Sequence, residues 1–379
     1  MWQADAQSQV LVDLDAISAN VRTLRAGTTA QVMAVVKGDG YGHGMVAAAR
    51  AALLGGASWL GVCTLEEAFG LRDAMITAPV LSWLWLPGQA LARAIERDVD
   101  LSVAGQVHLA AVLDAARESG RTARVHLKID TGLSRGGATT LEWPQLVEAA
   151  AKAQADGLVE IVGIWSHFVY ADAPGHATTD AQLAAFTEAL DTAQRLGVEP
   201  QLRHIANSAA VLTRPDTHFD LVRPGIAVYG LSPVDDPAIR AALRPAMTAH
   251  ARVLLVKRLA AGQGISYGHT YTTSRDTTVA LVPLGYADGV PRHASNTGPV
   301  QLNGGRFTVS GRVCMDQFVV DVGDTEVAIG DEVVLFGPGD RGEPTADDWA
   351  EAVGTINYEI VTRFGSVRVP RVYRGGSSS

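Results

Sequence analysis

Residues Met33 to Gly44 read MAVVKGDGYGHG. The apolar run Val32 to Val36 has the continuous character of a strand buried on both faces. It leads straight into Lys37 and then into a glycine-rich turn. Gly40, Gly42 and Gly44 recur at every second position, so no dinucleotide-binding G-x-G-x-x-G register fits them. If the run is the first strand of a parallel barrel, Lys37 stands at its carboxyl end, where barrel active sites lie. A lysine there, partly removed from water, loses basicity and can form a Schiff base with a carbonyl. Taken alone, a strand-end lysine more often only snorkels to water.

Working outward, similar apolar runs recur at Trp59 to Cys63, Pro79 to Trp83, Val99 to Val103, Ala123 to Ile129, Val159 to Trp165, Gln201 to Ile205 and Phe219 to Val222. Stretches of helical period separate most of them, among them Met45 to Leu54, Gln106 to Glu118, Leu141 to Ala155 and Asp180 to Leu196. Eight strand candidates alternating with helices predict an α/β fold, a (β/α)8 TIM-type barrel, with a doubly wound open sheet as its rival. Near residue 240 the pattern changes to short β runs and Gly-rich turns: Thr278 to Val282, Phe307 to Val309, Gln317 to Val322, Glu332 to Phe336 and Val367 to Val372. Helical stretches at Asp347 to Val353 and Tyr358 to Phe364 interrupt them. The expected organisation is a barrel over 1–240 and a mainly β C-terminal domain over 241–379. The run Gln9 to Leu14 is expected either to open the barrel or to pair with the β domain.

Composition narrows the function. The 379 residues are 47% hydrophobic and 19% charged, which excludes a disordered chain. Net charge is −9, from 31 Lys+Arg against 40 Asp+Glu, with no basic block, so nucleic acid and anionic membrane are not expected partners. The two cysteines, Cys63 and Cys314, fit neither a disulfide framework nor a paired metal spacing, and no metal site is expected. They read as thiols of a reducing cytoplasm. The opening MWQADAQSQV lacks the basic and apolar regions of a signal peptide, no run is long enough to cross a bilayer, and the closing RGGSSS reads as a frayed tail.

AVVKGDGYGHG resembles the pyridoxal-phosphate (PLP) lysine motif of the alanine racemase family, usually AVVKADAYGHG, with Gly38 and Gly40 in place of the alanines. Further family motifs follow in order: KIDTGLSRGG from Lys128, WSHF around His167, HIANSAA from His204, VRPGIAVYG from Val222, GISYGHTY from Gly264, PLGYADGVPR from Pro283, GRVCMDQFVVDV from Gly311 and TINYEIVTR from Thr355. The resemblance implies a PLP barrel followed by a β domain.

It also implies roles. Lys37 would carry the cofactor. Tyr41, Tyr358, Asn207, Ser208 and the backbone N–H groups of Gly225 and Ile226 would hold its phosphate, as oriented N–H groups do for anions. Alone, Ser208 reads equally well as a helix N-cap. Arg223 would face the pyridine nitrogen, where most PLP enzymes place a carboxylate. An arginine does not give up its proton, so the nitrogen would stay unprotonated and transamination would be suppressed. Racemisation needs an acid and a base on opposite faces of a planar carbanion. Lys37 would serve one face and Tyr267, from a second copy of the chain, the other. His167 would bond that tyrosine and His204 would stand behind Arg223; without the motif each reads as a satisfied core imidazole.

Arg135 would reach the cofactor's phenolic oxygen and the substrate carboxylate, with Lys128, as a carbamate, holding it. Met315 would receive substrate carboxylate on its backbone N–H, beside Asp316, and Tyr286 would line the substrate entrance. The implied activity is interconversion of L- and D-alanine for peptidoglycan by a cytoplasmic homodimer. Alternatives are a racemase of serine or of broader specificity, a PLP amino-acid decarboxylase, which Arg223 disfavours, and a non-catalytic PLP-binding barrel, which the β domain disfavours.

Overall fold

The computed structural model describes residues 6–376. The expected terminal features at residues 1–5 and 377–379 lie outside them. The chain divides into two compact units, one built from Ile17–Gly40 and Met45–Leu243, the other from Met1–Ala16, Tyr41–Gly44 and Arg244–Ser379. Strand β1 (Ser8–Asp13) belongs to the second.

The first unit is the barrel. Its strands are β2 (Gln31–Val35), β3 (Trp59–Val62), β4 (Val80–Ser82), β5 (Val99–Val103), β6 (Ala123–Lys128), β7 (Val159–Trp165), β8 (Leu202–His204) and β9 (Leu221–Val222). All pair in parallel, in the order β8-β7-β6-β5-β4-β3-β2-β9, which excludes the doubly wound alternative. The remaining seam is bridged at its rim, where the Asp220 N–H donates to the Arg203 carbonyl (3.1 Å) and the Arg203 N–H to the Asp220 carboxylate (2.8 Å). The continuous apolar runs were legible because strands covered on both faces need no polar side; β3, β4 and β5 are buried at every position. Met33, Trp59, Leu81, Val162, Leu202 and Leu221 fill the interior, and Trp83 packs against them. Between β6 and β7 the register shifts: Val125 faces Ile161 but His126 faces Gly163, so Val162 is an extra residue on β7.

In the second unit the strands are β10 (Met247–Arg252), β11 (Leu255–Leu259), β12 (Gly264–Ile265), β13 (Tyr271–Thr272), β14 (Thr277–Val282), β15 (Pro299–Leu302), β16 (Gly305–Thr308), β17 (Phe318–Gly323), β18 (Glu332–Phe336) and β19 (Arg371–Arg374). They form a six-stranded sheet, β16-β15-β18-β10-β1-β19, a three-stranded sheet, β11-β14-β17, and the pair β12-β13. Strand β1 lies antiparallel to β10 and parallel to β19. The last strand starts later than the expected Val367 to Val372. Pro370 has no N–H to give, and pairing begins beyond it, with the Pro370 carbonyl accepting from Val10 N–H. Two helices, Ala346–Val353 and Asn357–Thr362, cover this unit. Among the described residues no helix is long and apolar enough to cross a membrane.

Candidate active site

Lys37 stands two residues beyond β2, at the carboxyl mouth of the barrel, its Nζ 5.9 Å from the centre of the Trp83 ring. The residues after it do not continue a right-handed helix. Gly38, Asp39 and Gly40 are all left-handed, with φ of 62°, 52° and 63°. Two carboxylates tie this turn down. Glu67 accepts from Gly38 N–H (2.7 Å) while also capping its own helix at Cys63 and Thr64, and Asp39 accepts from Met45 N–H (2.8 Å). Burial pushes the neighbouring Cys63 thiol up, against the opposing charge of Lys37.

Around the mouth stand further cations. Lys128 ends β6 with its Nζ 4.4 Å from the Trp165 ring centre, and the Arg223 guanidinium lies 4.8 Å from the same centre. Burial, then the charges of Arg223 and Arg135, pull the Lys128 amine down to about 8. Arg223 is 4% exposed, and burial pulls it down to about 9, so it remains a cation at neutral pH. It donates to the Ser166 carbonyl (2.8 Å), to His204 Nδ1 (3.1 Å) and to His167 Nδ1 (3.3 Å). Arginine has no acceptor, so both Nδ1 atoms accept, and each neutral ring carries its proton on Nε2. Burial and the surrounding cations hold both imidazoles well below their ordinary value, which keeps them neutral. His167 thus offers an Nε2–H donor.

Two helix starts meet at Ser208. Asn207 caps the helix Ser208–Thr213 through a bond from Ala210 N–H (3.1 Å). The cap is therefore Asn207, not Ser208. The buried Ser208 hydroxyl instead accepts from Gly225 N–H (2.7 Å) and Ala227 N–H (3.3 Å), at the start of the 3-10 turn Ile226–Tyr229.

In the β unit, Tyr267, Tyr286 and Met315 share one loop cluster. The Ser266 hydroxyl donates to the Arg312 carbonyl (2.7 Å), Tyr286 N–H to Cys314 (3.1 Å) and Ala287 N–H to Met315 (3.0 Å). Tyr267 is 71% and Met315 53% exposed, so neither is a core residue. Asp316 pairs with Arg368 (2.7 Å). Tyr41 and Tyr358, in the same unit, have ring centres 6.2 Å apart.

Comparison with known proteins matches residues 12–233 to the N-terminal domain of alanine racemase and 246–373 to its C-terminal domain. The alanine racemase of Salinispora tropica is 68% identical over 99% of both chains, and that of Thermobifida fusca 56% identical over 97% of this chain and 98% of the other. A crystal structure of alanine racemase from the D-cycloserine-producing Streptomyces lavendulae superposes with a TM-score of 0.96 at 53% identity, covering 98% of each chain. The chain belongs to the alanine racemase family. Membership sets aside the decarboxylase and the non-catalytic barrel.

Within the barrel unit of this racemase-family chain, the structure gathers Lys37, Lys128, Arg135, His167, His204 and Arg223 into one electrostatically coupled set. It gathers Tyr267, Tyr286 and Met315 separately. Three members were not singled out from sequence. Trp165 takes two cations on its ring and stacks on His204 with 4° between planes, while Trp83 and Glu67 brace the lysine turn. Trp165 stood two positions before His167 in WSHF, on the inward side of a strand, which was the available signal.

Proposed function

We propose that the chain interconverts L- and D-alanine with pyridoxal 5′-phosphate by a two-base mechanism, and that it works as a homodimer. The observation that carries the reading is the buried Arg223, which donates to two imidazoles and, among the described residues, has no carboxylate bound to it. The residues present fit the cofactor. After burial, the charges of Arg223, Arg135, Lys128 and Lys37 all lower the His167 imidazole, so four cations converge on the mouth, which suits a multiply anionic ligand. Lys37 would hold the aldehyde carbon. Ser208, Asn207, Gly225 and Ile226 would hold the phosphate, with Tyr41 and Tyr358 added by the resemblance. Arg135 would reach the phenolic oxygen and the substrate carboxylate, and Arg223 would face the ring nitrogen.

When bound, the cofactor withdraws electrons and so acidifies the Cα–H bond of alanine. The chain does the rest. Lys37 Nζ takes or returns the proton on one face. Tyr267 of a second copy does so on the other, helped by the Nε2–H of His167, which stabilises a phenolate. Arg223 presents only donors, so the atom facing it keeps its lone pair and reaction is confined to proton exchange. Met315 N–H and Asp316 would orient substrate, and Tyr286 would line its entrance. A carbamate on Lys128 would turn that cation into a partner for Arg135. With both cysteines free, the activity fits the cytoplasm, where D-alanine would feed peptidoglycan.

The test is optical. Purified holoenzyme given either enantiomer of alanine should drive the circular dichroism of the solution to zero, and should act on serine far more slowly. An unchanged signal from L-alanine would overturn the proposal, and an equal rate on serine would move it to a broader racemase.

A further inference from the structure

Behind Arg223 and His204 the barrel interior carries one more imidazole and a carboxylate that proton exchange does not use. His204 Nε2 lies 2.9 Å from His126 Nδ1, and His126 Nε2 lies 3.2 Å from the Asp100 carboxylate. His126 and His204 are fully buried and Asp100 is 1% exposed. Asp100 is held in turn by the Arg124 guanidinium at 2.9 and 3.3 Å, which also pairs with Glu160 at 3.1 Å. The path runs from near the start of β5 and β6 to the carboxyl end of β8 and the residue after β9.

Donor and acceptor counting leaves one arrangement. Arg223 can only donate, so His204 Nδ1 accepts and its Nε2 bears the proton. That Nε2–H donates to His126 Nδ1, so the His126 proton is also on Nε2, and it donates to Asp100. Every bond then points from the cation toward the carboxylate.

The backbone is shaped to hold this line. The extra residue Val162 bends β7 where His126 crosses, and bulges re-aim side chains in this way. A Cβ at Gly163 would collide with the His126 ring, so the glycine provides the room. Trp165 stacks on His204, and Trp59 meets His126 edge-on with centres 5.6 Å apart.

We infer that Asp100 and His126 are positioning residues for Arg223: through two imidazoles locked in one tautomer, the carboxylate orients the guanidinium and compensates its buried charge. This rests on the reading that Arg223 faces the cofactor's ring nitrogen. A carboxylate touching Arg223 directly would also balance the charge, but it would cancel the positive field that attracts an anionic cofactor. Two rings of separation keep the mouth positive.

The experiment uses holoenzyme labelled with nitrogen-15 in its histidine rings, with signals assigned by loss in His126→Asn. Both His126 and His204 should be neutral Nε2–H tautomers. An Nδ1–H tautomer or a doubly protonated ring at either position would overturn the inference, whatever the activity. In Asp100→Asn the side-chain carbonyl still accepts from His126 Nε2–H, so both tautomers should persist while the charge is lost. The alanine kcat should fall roughly tenfold with KM little altered, the scale of a remote coupled residue. Pyruvate formed per racemisation event should rise, a ratio that a loss of fold alone does not move. An unchanged kcat and an unchanged pyruvate ratio in that variant would refute the relay. Should Asp100→Asn fail to fold, the wild-type tautomers still decide. A protein that racemises nothing yet shows both Nε2–H tautomers would sink the proposed function and leave the relay standing.

Discussion

Lys128 holds its proton weakly, and that has two consequences at the level of a single side chain. At pH 8 an amine with pKa about 8 is roughly half neutral, against about one part in three hundred for a lysine at 10.5. The neutral amine can add carbon dioxide, forming an N–C bond and releasing one proton. Holoenzyme in carbon-13 bicarbonate should therefore give a carbamate resonance that Lys128→Arg lacks; its absence from the wild type would rule the modification out. In bicarbonate-free buffer the unfolded chain binds more protons than the folded one between about 8 and 10.5, so stability rises with pH across that window. Lys128→Met should flatten that part of the slope in denaturant titrations. Arg223 supports a second residue-scale prediction. Arg223→Glu replaces a cation bonded to His204 and His167 with an anion that neither neutral Nδ1 atom can donate to. Racemisation should fall by about 10² or more. Pyruvate should accumulate from alanine, because a carboxylate lets the ring nitrogen keep its proton. A slow variant that retains cofactor and forms no pyruvate would refute the assigned role.

The element that bears Lys37 is a left-handed turn, and its alternating glycines have a measurable purpose. Left-handed backbone costs a residue with a Cβ about 1–2 kcal/mol. Asp39 and Tyr41 bear it at φ of 52° each, while Gly38 and Gly40 do not. A Cβ at Gly38 meets nothing within 4 Å, whereas one at Gly40 meets Ala48 Cβ at 3.2 Å and Met45 backbone at 3.3 Å. Gly40→Ala should therefore destabilise the fold more than Gly38→Ala, by a further ~1 kcal/mol, seen as the lower melting temperature of the two; the reverse order would show that the turn is not what limits either position. Elements of this kind mark where sequence reading ran out. Parallel strands were legible because both faces are apolar, and Lys37 because the run ends on it. The bulge at Val162 and the buried line that Asp100 begins leave no periodic trace, since each is set by what packs opposite. Asp100 sits in the run VDLSV, where a charge reads as an interruption rather than as one end of a buried line.

At the scale of the whole molecule, the proposed mechanism divides its two bases between units. Lys37 belongs to the barrel unit and Tyr267 to the β unit. Tyr267, Tyr286 and Met315 are all exposed on one loop cluster, where the proposed second copy would cover them. In a twofold dimer with shared sites, each site draws Lys37 from one chain and Tyr267 from its partner. Lys37→Ala and Tyr267→Phe homodimers should each be nearly inactive. A mixed dimer then holds one site with both defects and one with neither. Random pairing of equal amounts makes half of the dimers mixed, so activity should recover to about a quarter of the wild type. If each base pair came from a single chain, every site in the mixed dimer would keep one defect and nothing would recover. Tagged subunits purified in tandem show whether mixed dimers have formed. Activity that stays at the homodimer level in that purified fraction would place both bases in one chain.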